Sequence, residues 1–272
     1  MSSQPPLPVI HSAFYKFIHL HDVNALVEQL KLLTQTLHGS ILVAPEGVNG
    51  MVAGHSEAIT AFQSAVLAMP AFNDMVFKHS QCTTSPFHKM KVRLKPEIVP
   101  LGIPGVDAST STGINVSPSD WRTLIAQDDV VLLDNRNSFE YRLGRFKNAI
   151  DPGVANFRDF PEYVKAHISE WKACGKRVAM YCTGGIRCEK TSAWMREYDL
   201  PVYQLEGGIL NYFQTMPDAE KDWQGECFVF DNRIALDTHL KETSTTLEDV
   251  YQDEPDGEWR LQRARQLHMG EG

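Results

Sequence analysis

One segment of the chain combines an apolar strand, a cysteine and two glycines with the start of a helix. It runs Val178-Ala-Met-Tyr-Cys182-Thr-Gly-Gly-Ile-Arg187. A strand that turns through glycines into a helix is typical of a parallel α/β sheet, whose ligand sites lie beyond the carboxyl ends of the strands. Backbone N–H groups in the turn, together with the helix N-terminus behind it, favour a thiolate. The segment therefore predicts a nucleophilic cysteine at position 182.

The loop after Cys182 is one residue too short to enclose a phosphate as the loop of a cysteine-dependent phosphatase does. Four residues separate Cys182 from Arg187, and Cys188 stands where a phosphatase would have its arginine. The shorter loop suits a persulfide or attack on an electrophilic carbon. We expect Arg187 to stabilise negative charge, and Cys188 either to resolve an oxidised Cys182 or to pack passively. The predicted active-site loop is Thr183, Gly184, Gly185, Ile186, Arg187 and Cys188.

Four polar residues elsewhere in this region are candidates for supporting the site. Asp134 and Arg136 form an Asp-x-Arg motif at the end of the apolar run Val130-Val-Leu-Leu. They could contact substrate, or pair with each other and hold the neighbouring loop, and we favour the scaffolding role. Arg158 and Glu206 are candidates for the rim of the site.

Three separated signatures of the chain together resemble the rhodanese superfamily. The first joins Asp134-Asn-Arg136 to Glu140-Tyr141, Gly144 and Ala149-Ile150, the second is the Cys182 loop, and the third is Leu205-Glu-Gly-Gly-Ile209. With Ala44-Pro-Glu-Gly47-Val-Asn-Gly50 and Gly225-Glu-Cys-Phe-Val-Phe-Asp231, the pattern more narrowly resembles the rhodanese-containing tRNA uridine hydroxylase family.

That resemblance implies dioxygen-dependent conversion of the anticodon wobble uridine of tRNA to 5-hydroxyuridine, with Cys182 as the catalytic residue. Cys182 could add to carbon 6 of uracil, or carry a persulfide or a peroxidic oxygen. A rhodanese-type sulfurtransferase is the alternative enzyme, and a protein-binding module is the non-enzymatic one. We expect a splayed base to stack on Phe157, Tyr181 or Tyr212. No metal-ligand, flavin or nicotinamide pattern is visible, so we expect no cofactor beyond dioxygen as co-substrate.

The order of apolar runs predicts two domains. Up to about Lys95 the pattern is β-α-β-β-α-β, which indicates a ferredoxin-like, acylphosphatase-like α+β domain. Later strands alternate with helices, which indicates a rhodanese-like parallel α/β domain. The predicted divisions are residues 1–96 for the first domain, 97–117 for a linker rich in proline and glycine, 118–225 for the rhodanese domain, and 226–272 for a carboxyl-terminal segment with an acidic tail.

Charge and cysteine content limit which partners the protein can bind and in which compartment it works. The net charge of −8 argues against a generally basic surface, so tRNA would need a local patch. Lys89, Lys91, Arg93 and Lys95 alternate with apolar residues and would share one face of a strand, where they could bind RNA phosphates or simply protect an exposed strand. Five cysteines at irregular spacing favour a reduced state. Without an apolar run near the roughly 20 residues of a membrane span, we expect a cytoplasmic protein with no membrane contact.

Overall fold

The computed structural model describes residues 9–82 and 85–268 and divides the chain between Ile98 and Val99. The first unit holds the described residues up to Ile98 together with the stretch from Arg263, and the second runs from Val99 to Gln262. Within the described ranges, every helix is too short or too polar to cross a bilayer.

The first unit is a sheet covered by two helices. The strands are β1 (Val9–Phe17), β2 (His38–Ala44), β3 (Gly47–Gly54), β4 (Phe77–Cys82) and β5 (Met90–Leu94), and the helices are α1 (Val23–Leu33) and α2 (Ser56–Leu67). The strand order is β4-β1-β3-β2-β5, antiparallel except for the parallel pair of β2 and β5. Apolar residues of both helices pack on the sheet, among them Leu30 and Phe62. The predicted acylphosphatase-like fold is confirmed, with β5 as an added edge strand.

The second unit is built on a parallel sheet with the order β6-β10-β9-β7. Its strands are β6 (Ile114–Val116), β7 (Val130–Asp134), β9 (Arg177–Tyr181) and β10 (Val202–Leu205). Two separate antiparallel pairs are formed by β8 (Gly144–Phe146) with β11 (Trp223–Gly225) and by β12 (Cys227–Phe228) with β13 (Ala235–Leu236). The helices are α3 (Pro118–Leu124), α4 (Ser138–Leu143), α5 (Phe160–Ala173), α6 (Ile186–Met195), α7 (Gly208–Thr215), α8 (Leu247–Tyr251) and α9 (Gly257–His268), whose last residues belong to the first unit. The predicted parallel α/β fold is confirmed.

The segment predicted as an exposed linker, residues 97–117, is mostly irregular, but part of it is buried. Leu101 is completely buried, and residues 114–116 form the edge strand β6. The side-chain amine of the buried Lys190 donates a hydrogen bond to the Val99 carbonyl (3.0 Å). Proline and glycine prevent a long helix here, but the apolar side chains between them still bury themselves.

The segment after residue 225, for which the sequence indicated an acidic and polar tail after Asp237 with one helix, contains more regular structure than that. It contains β12, β13, α8 and α9, and eight of its apolar side chains are buried: Cys227, Phe228, Val229, Ala235, Leu236, Leu247, Val250 and Tyr251. Phe228 packs edge-on against Phe139 of α4 with ring centroids 5.1 Å apart. Acidic residues such as Glu242, Glu248 and Asp249 are exposed, whereas Asp231 is buried, so the segment is folded rather than an open tail.

Candidate active site

Cys182 lies directly after β9, and the loop that follows wraps around its sulfur. The backbone N–H of Gly185 donates to Cys182 Sγ at 3.1 Å, and α6 begins at the next residue. Gly185 has a φ of +102°, a left-handed conformation that a side chain would strain. The Thr-Gly-Gly sequence thus lets the chain turn tightly enough to direct a backbone donor at the sulfur.

The surroundings of Cys182 stabilise its thiolate although the side chain is only 1% exposed. Burial by itself disfavours the anion, but a hydrogen bond from the Cys188 thiol, the positive charge of Arg187 and the backbone N–H groups of Cys188 and Gly185 outweigh it. Together they lower the pKa of Cys182 from 9.0 to about 5. Burial and the neighbouring Cys182 hold the pKa of Cys188 well above its usual range, so Cys188 stays a protonated donor.

Arg187 is fixed by a carboxylate that the sequence analysis did not place in the site. Its Nη1 and Nη2 donate to the two oxygens of Glu140 at 2.7 and 2.8 Å, and both side chains are buried. Burial opposes the charge on Glu140, but Arg187 holds the pKa of that carboxyl below its ordinary value. Glu140 also accepts from the backbone N–H of Asn137 at the start of α4 (3.1 Å). The sequence signal that pointed to Glu140 is its place in the Glu140-Tyr141 part of the first signature.

Asp134 and Arg136 form a completely buried ion pair beneath the site. Arg136 donates from Nε to Asp134 Oδ1 (2.8 Å) and from Nη2 to Oδ2 (2.6 Å), and its Nη2 also reaches the Gly144 carbonyl. The Tyr181 hydroxyl donates to the same carboxylate at 2.7 Å. These bonds tie the ends of β7 and β9 together, so the geometry is consistent with a scaffolding role and leaves no surface for substrate.

The double glycine at the start of α7 supports the Cys182 loop from outside. Gly208 has a φ of +72°, and a Cβ there would lie 2.5 Å from the Cys182 carbonyl oxygen. The next two N–H groups, of Ile209 and Leu210, donate to the carbonyls of Cys182 (3.0 Å) and Thr183 (3.2 Å). Gly208 is a second residue of the site that the sequence analysis missed, because its contact arises only when β9 and β10 lie side by side.

Several other predicted site residues lie apart from this cluster. Arg158 and Glu206 are exposed, and within the described chain neither side chain joins the hydrogen-bonded set around Cys182. Phe157, Tyr181 and Tyr212, which were predicted to stack on a base, are all buried. The residues described contain no cluster of three or more histidine, cysteine or acidic side chains arranged for a metal ion.

The predicted basic stripe lies on β5 in the first unit. Lys89, Arg93 and Lys95 are exposed, Lys91 is half-buried, and the intervening Met90 and Val92 pack on the core. Burial, followed by the charges of Lys89 and Arg93, lowers the pKa of Lys91. The cations are therefore close enough to interact. Lys31 of α1 lines a groove beside β5 together with Lys91 and Arg93.

Comparisons with known proteins place both units in named families. Residues 9–98 match the UPF0176 acylphosphatase like domain, and residues 117–215 match the Rhodanese-like domain. Proteins named tRNA uridine(34) hydroxylase are similar over most of the chain. The one from Legionella pneumophila (strain Paris) is 45% identical over 90% of this chain and 97% of its own length, and the one from Bartonella bacilliformis is 44% identical over 87% and 78%.

The relative from Mesorhizobium japonicum, of the same name, is 42% identical over 90% of this chain and 80% of its own length. These matches extend through both units and confirm the resemblance inferred from the motifs. Identity at this level along nearly the whole sequence shows that the chain belongs to the tRNA uridine(34) hydroxylase family.

Proposed function

We propose that this protein hydroxylates uridine 34 of tRNA at carbon 5, giving 5-hydroxyuridine, with dioxygen as co-substrate and Cys182 as the nucleophile. The observation that carries the proposal is the set of hydrogen-bond donors around the Cys182 sulfur, which together with Arg187 lower the pKa of Cys182 to about 5. The chain also belongs to a family named for this reaction. A thiolate present at neutral pH is the reactive form of cysteine.

Carbon 6 of uracil is electrophilic, so addition of the Cys182 thiolate there leaves enolate character at carbon 5. Dioxygen adds at carbon 5 and forms a hydroperoxide. Two equivalents of a thiol reductant from solution cleave its O–O bond, giving the carbon 5 hydroxyl, water and a disulfide. Loss of the carbon 5 proton then expels Cys182 from carbon 6 and restores the ring double bond. In total, uridine, dioxygen and two thiols yield 5-hydroxyuridine, water and one disulfide.

Arg187 serves this chemistry through its fixed charge. Glu140 holds the guanidinium in place through two hydrogen bonds, and the charge of Arg187 favours the Cys182 thiolate. The same charge assists departure of Cys182 as an anion in the last step. Since Cys182 is only 1% exposed, the side chains over it have to move when the base enters.

The basic stripe of β5 supports tRNA as the macromolecular substrate. The whole chain is acidic, so RNA contact needs a surface on which cations are concentrated. Lys89, Lys91, Arg93 and Lys95 supply that surface. We infer a cytoplasmic location, because tRNA is the proposed substrate.

The proposal is tested by incubating purified protein with unmodified tRNA and a thiol reductant, under air and under argon, and analysing the nucleosides by mass spectrometry. We expect 5-hydroxyuridine under air only, carrying label when ¹⁸O₂ is supplied, and none with Cys182→Ser. Cys174→Ser is the matched control, because Cys174 is exposed at the end of α5 and should leave turnover unchanged. A thiolated nucleoside formed with a sulfur donor, in place of 5-hydroxyuridine, would establish the sulfurtransferase instead.

The role of the stripe is tested by reversing two of its exposed charges, Lys89→Glu and Arg93→Glu, and measuring tRNA affinity at several salt concentrations. Each lost phosphate contact should reduce the slope of log K against log salt by about 0.7–0.9, and the double variant by about twice that. Lys165→Glu, at an exposed lysine on α5, is the control for net charge and is compared with each single variant, because each of these reverses one charge as well. If Lys165→Glu weakens tRNA binding as much as Lys89→Glu or Arg93→Glu does, the stripe only protects the edge of the sheet.

A further inference from the structure

Phe230 is an exposed aromatic side chain of the second unit beside the Cys182 loop. It is 51% exposed, while its ring lies 5.8 Å from the guanidinium carbon of Arg187. Arg187 in turn contributes to the low pKa of Cys182. The aromatic residues that the sequence suggested for stacking are buried, so this ring has the access that they lack.

The ring of Phe230 is held in place by buried neighbours. It packs edge-on against Phe228, with centroids 5.0 Å apart, and Phe228 packs in the same way on Phe139 at 5.1 Å. Phe139 precedes Glu140 on α4, and Glu140 is the partner of Arg187. A continuous set of packed side chains therefore links the exposed ring to the residues around the sulfur.

The backbone of the loop that carries Phe230 is also fixed. The N–H of Val229 donates to the Ile234 carbonyl at 2.8 Å, which closes the loop. Inside it, Arg233 donates to both carboxylate oxygens of Asp231, at 2.8 and 2.6 Å, and this pair is buried. Ile234 has a φ of +63°, a conformation that a β-branched residue adopts only when its surroundings impose it. The loop thus holds a half-exposed apolar ring in one position, at some cost in strain.

We propose that Phe230 is the surface on which the uracil of the target uridine stacks as it enters the site; this rests on the proposed function. Bases of single-stranded RNA loops are recognised by stacking on aromatic rings and on arginine planes. Phe230 offers an exposed ring of this kind beside Arg187, whose guanidinium Glu140 holds next to the Cys182 loop. Phe230 acts as a positioning residue that orients the base and takes no part in bond making.

The test compares the affinity of the protein for two anticodon stem-loops, one with uridine at position 34 and one with an abasic site there, measured under argon so that no turnover occurs. Stacking of one base contributes roughly 5- to 150-fold in affinity. We expect the wild-type protein to prefer the uridine RNA by a factor in this range, Phe230→Ala and Phe230→Leu to lose most of that preference, and Phe230→Trp and Phe230→Tyr to keep it.

The leucine variant separates stacking from packing, because it retains apolar volume against Phe228 without an aromatic face. Ile114→Ala is the matched control: Ile114 is 52% exposed and begins the edge strand β6, which β10 separates from β9 and the Cys182 loop. If the Phe230 substitutions act only by disturbing the protein structure, they will weaken binding of both RNAs equally. That result would overturn the inference, and so would a Phe230→Leu variant that keeps the wild-type preference for the uridine RNA. This binding readout is independent of 5-hydroxyuridine formation, so the proposed function can fail or succeed separately.

Discussion

The hydrogen bond from Cys188 to Cys182 gives a quantitative test of how the loop stabilises the thiolate. The Cys188 side chain is 1% exposed, and its thiol donor is the largest of the effects that favour the Cys182 anion. The neighbouring Asn135 amide lies 3.9 Å from the Cys188 sulfur and helps to orient it. Replacing Cys188 by alanine removes the donor and leaves only a small space.

The size of the effect follows from the strength of such bonds. The fall of the Cys182 pKa from 9.0 to about 5 corresponds to about 5 kcal/mol in favour of the thiolate. A hydrogen bond to a charged group contributes about 1.5–3 kcal/mol, equivalent to about one to two pH units. We therefore expect Cys188→Ala to titrate at about pH 6–7, so that about half to nine-tenths of Cys182 is ionised at pH 7.

The titration is followed by the ultraviolet absorbance of the thiolate, as the difference between each protein and the same protein carrying Cys182→Ser. Cys188→Ser keeps a donor and should remain close to the wild-type pKa. Cys227→Ala is the matched control, since Cys227 is also buried and burial raises its own pKa to about 12. If Cys188→Ala titrates where the wild-type protein does, the thiol bond does not stabilise the anion and the reasoning is wrong.

Three further predictions concern stability. Glu140→Gln leaves the buried Arg187 without its counter-charge and should lower the free energy of unfolding by about 3–5 kcal/mol in urea denaturation; a loss below about 1 kcal/mol would contradict the assigned pairing. Gly208→Ala should cost about 1–3 kcal/mol because of its left-handed φ and the clash with the loop, whereas Gly184→Ala, with nothing near the added Cβ, should stay within about 0.5 kcal/mol. Since folding lowers the pKa of Cys182, the thiolate stabilises the wild-type protein relative to Cys182→Ser. Paired urea titrations should show this difference in the free energy of unfolding in full above pH 9.0 and lost as the pH falls toward about 5, and a difference independent of pH would refute the prediction.

The parts of the fold that could be predicted are those whose pattern is local. The apolar run before Cys182 and the two glycines after it specify a strand and a tight turn, and the structure has β9 and α6 in those positions. The alternation of Lys89, Lys91, Arg93 and Lys95 likewise requires only the two-residue period of a strand. Met90 and Val92 of β5 pack on the core as that period requires, while Leu94 at the end of the strand is exposed. The overall class of each unit follows from the order of such elements.

The partners of the site residues could not be predicted, because they come from distant segments. Glu140 lies 47 positions before Arg187, and Gly208 meets the Cys182 carbonyl only through the packing of neighbouring strands. The buried parts of the segments 97–117 and 226–272 were not predicted, because their composition indicated a linker and a polar tail with one helix. Their strands are three residues or fewer, too short for a periodic pattern. Burial of side chains such as Leu101 depends on tertiary contacts that composition does not encode.

The central claim is that the loop holds Cys182 as a reactive thiolate at neutral pH. It is tested most directly by the rate at which a small alkylating reagent modifies Cys182, followed by mass spectrometry of the peptide across a range of pH. We predict modification at neutral pH, with a rate that falls to half its plateau near pH 5. A side chain that stays unmodified at neutral pH, or that becomes reactive only near pH 9.0, would contradict the account.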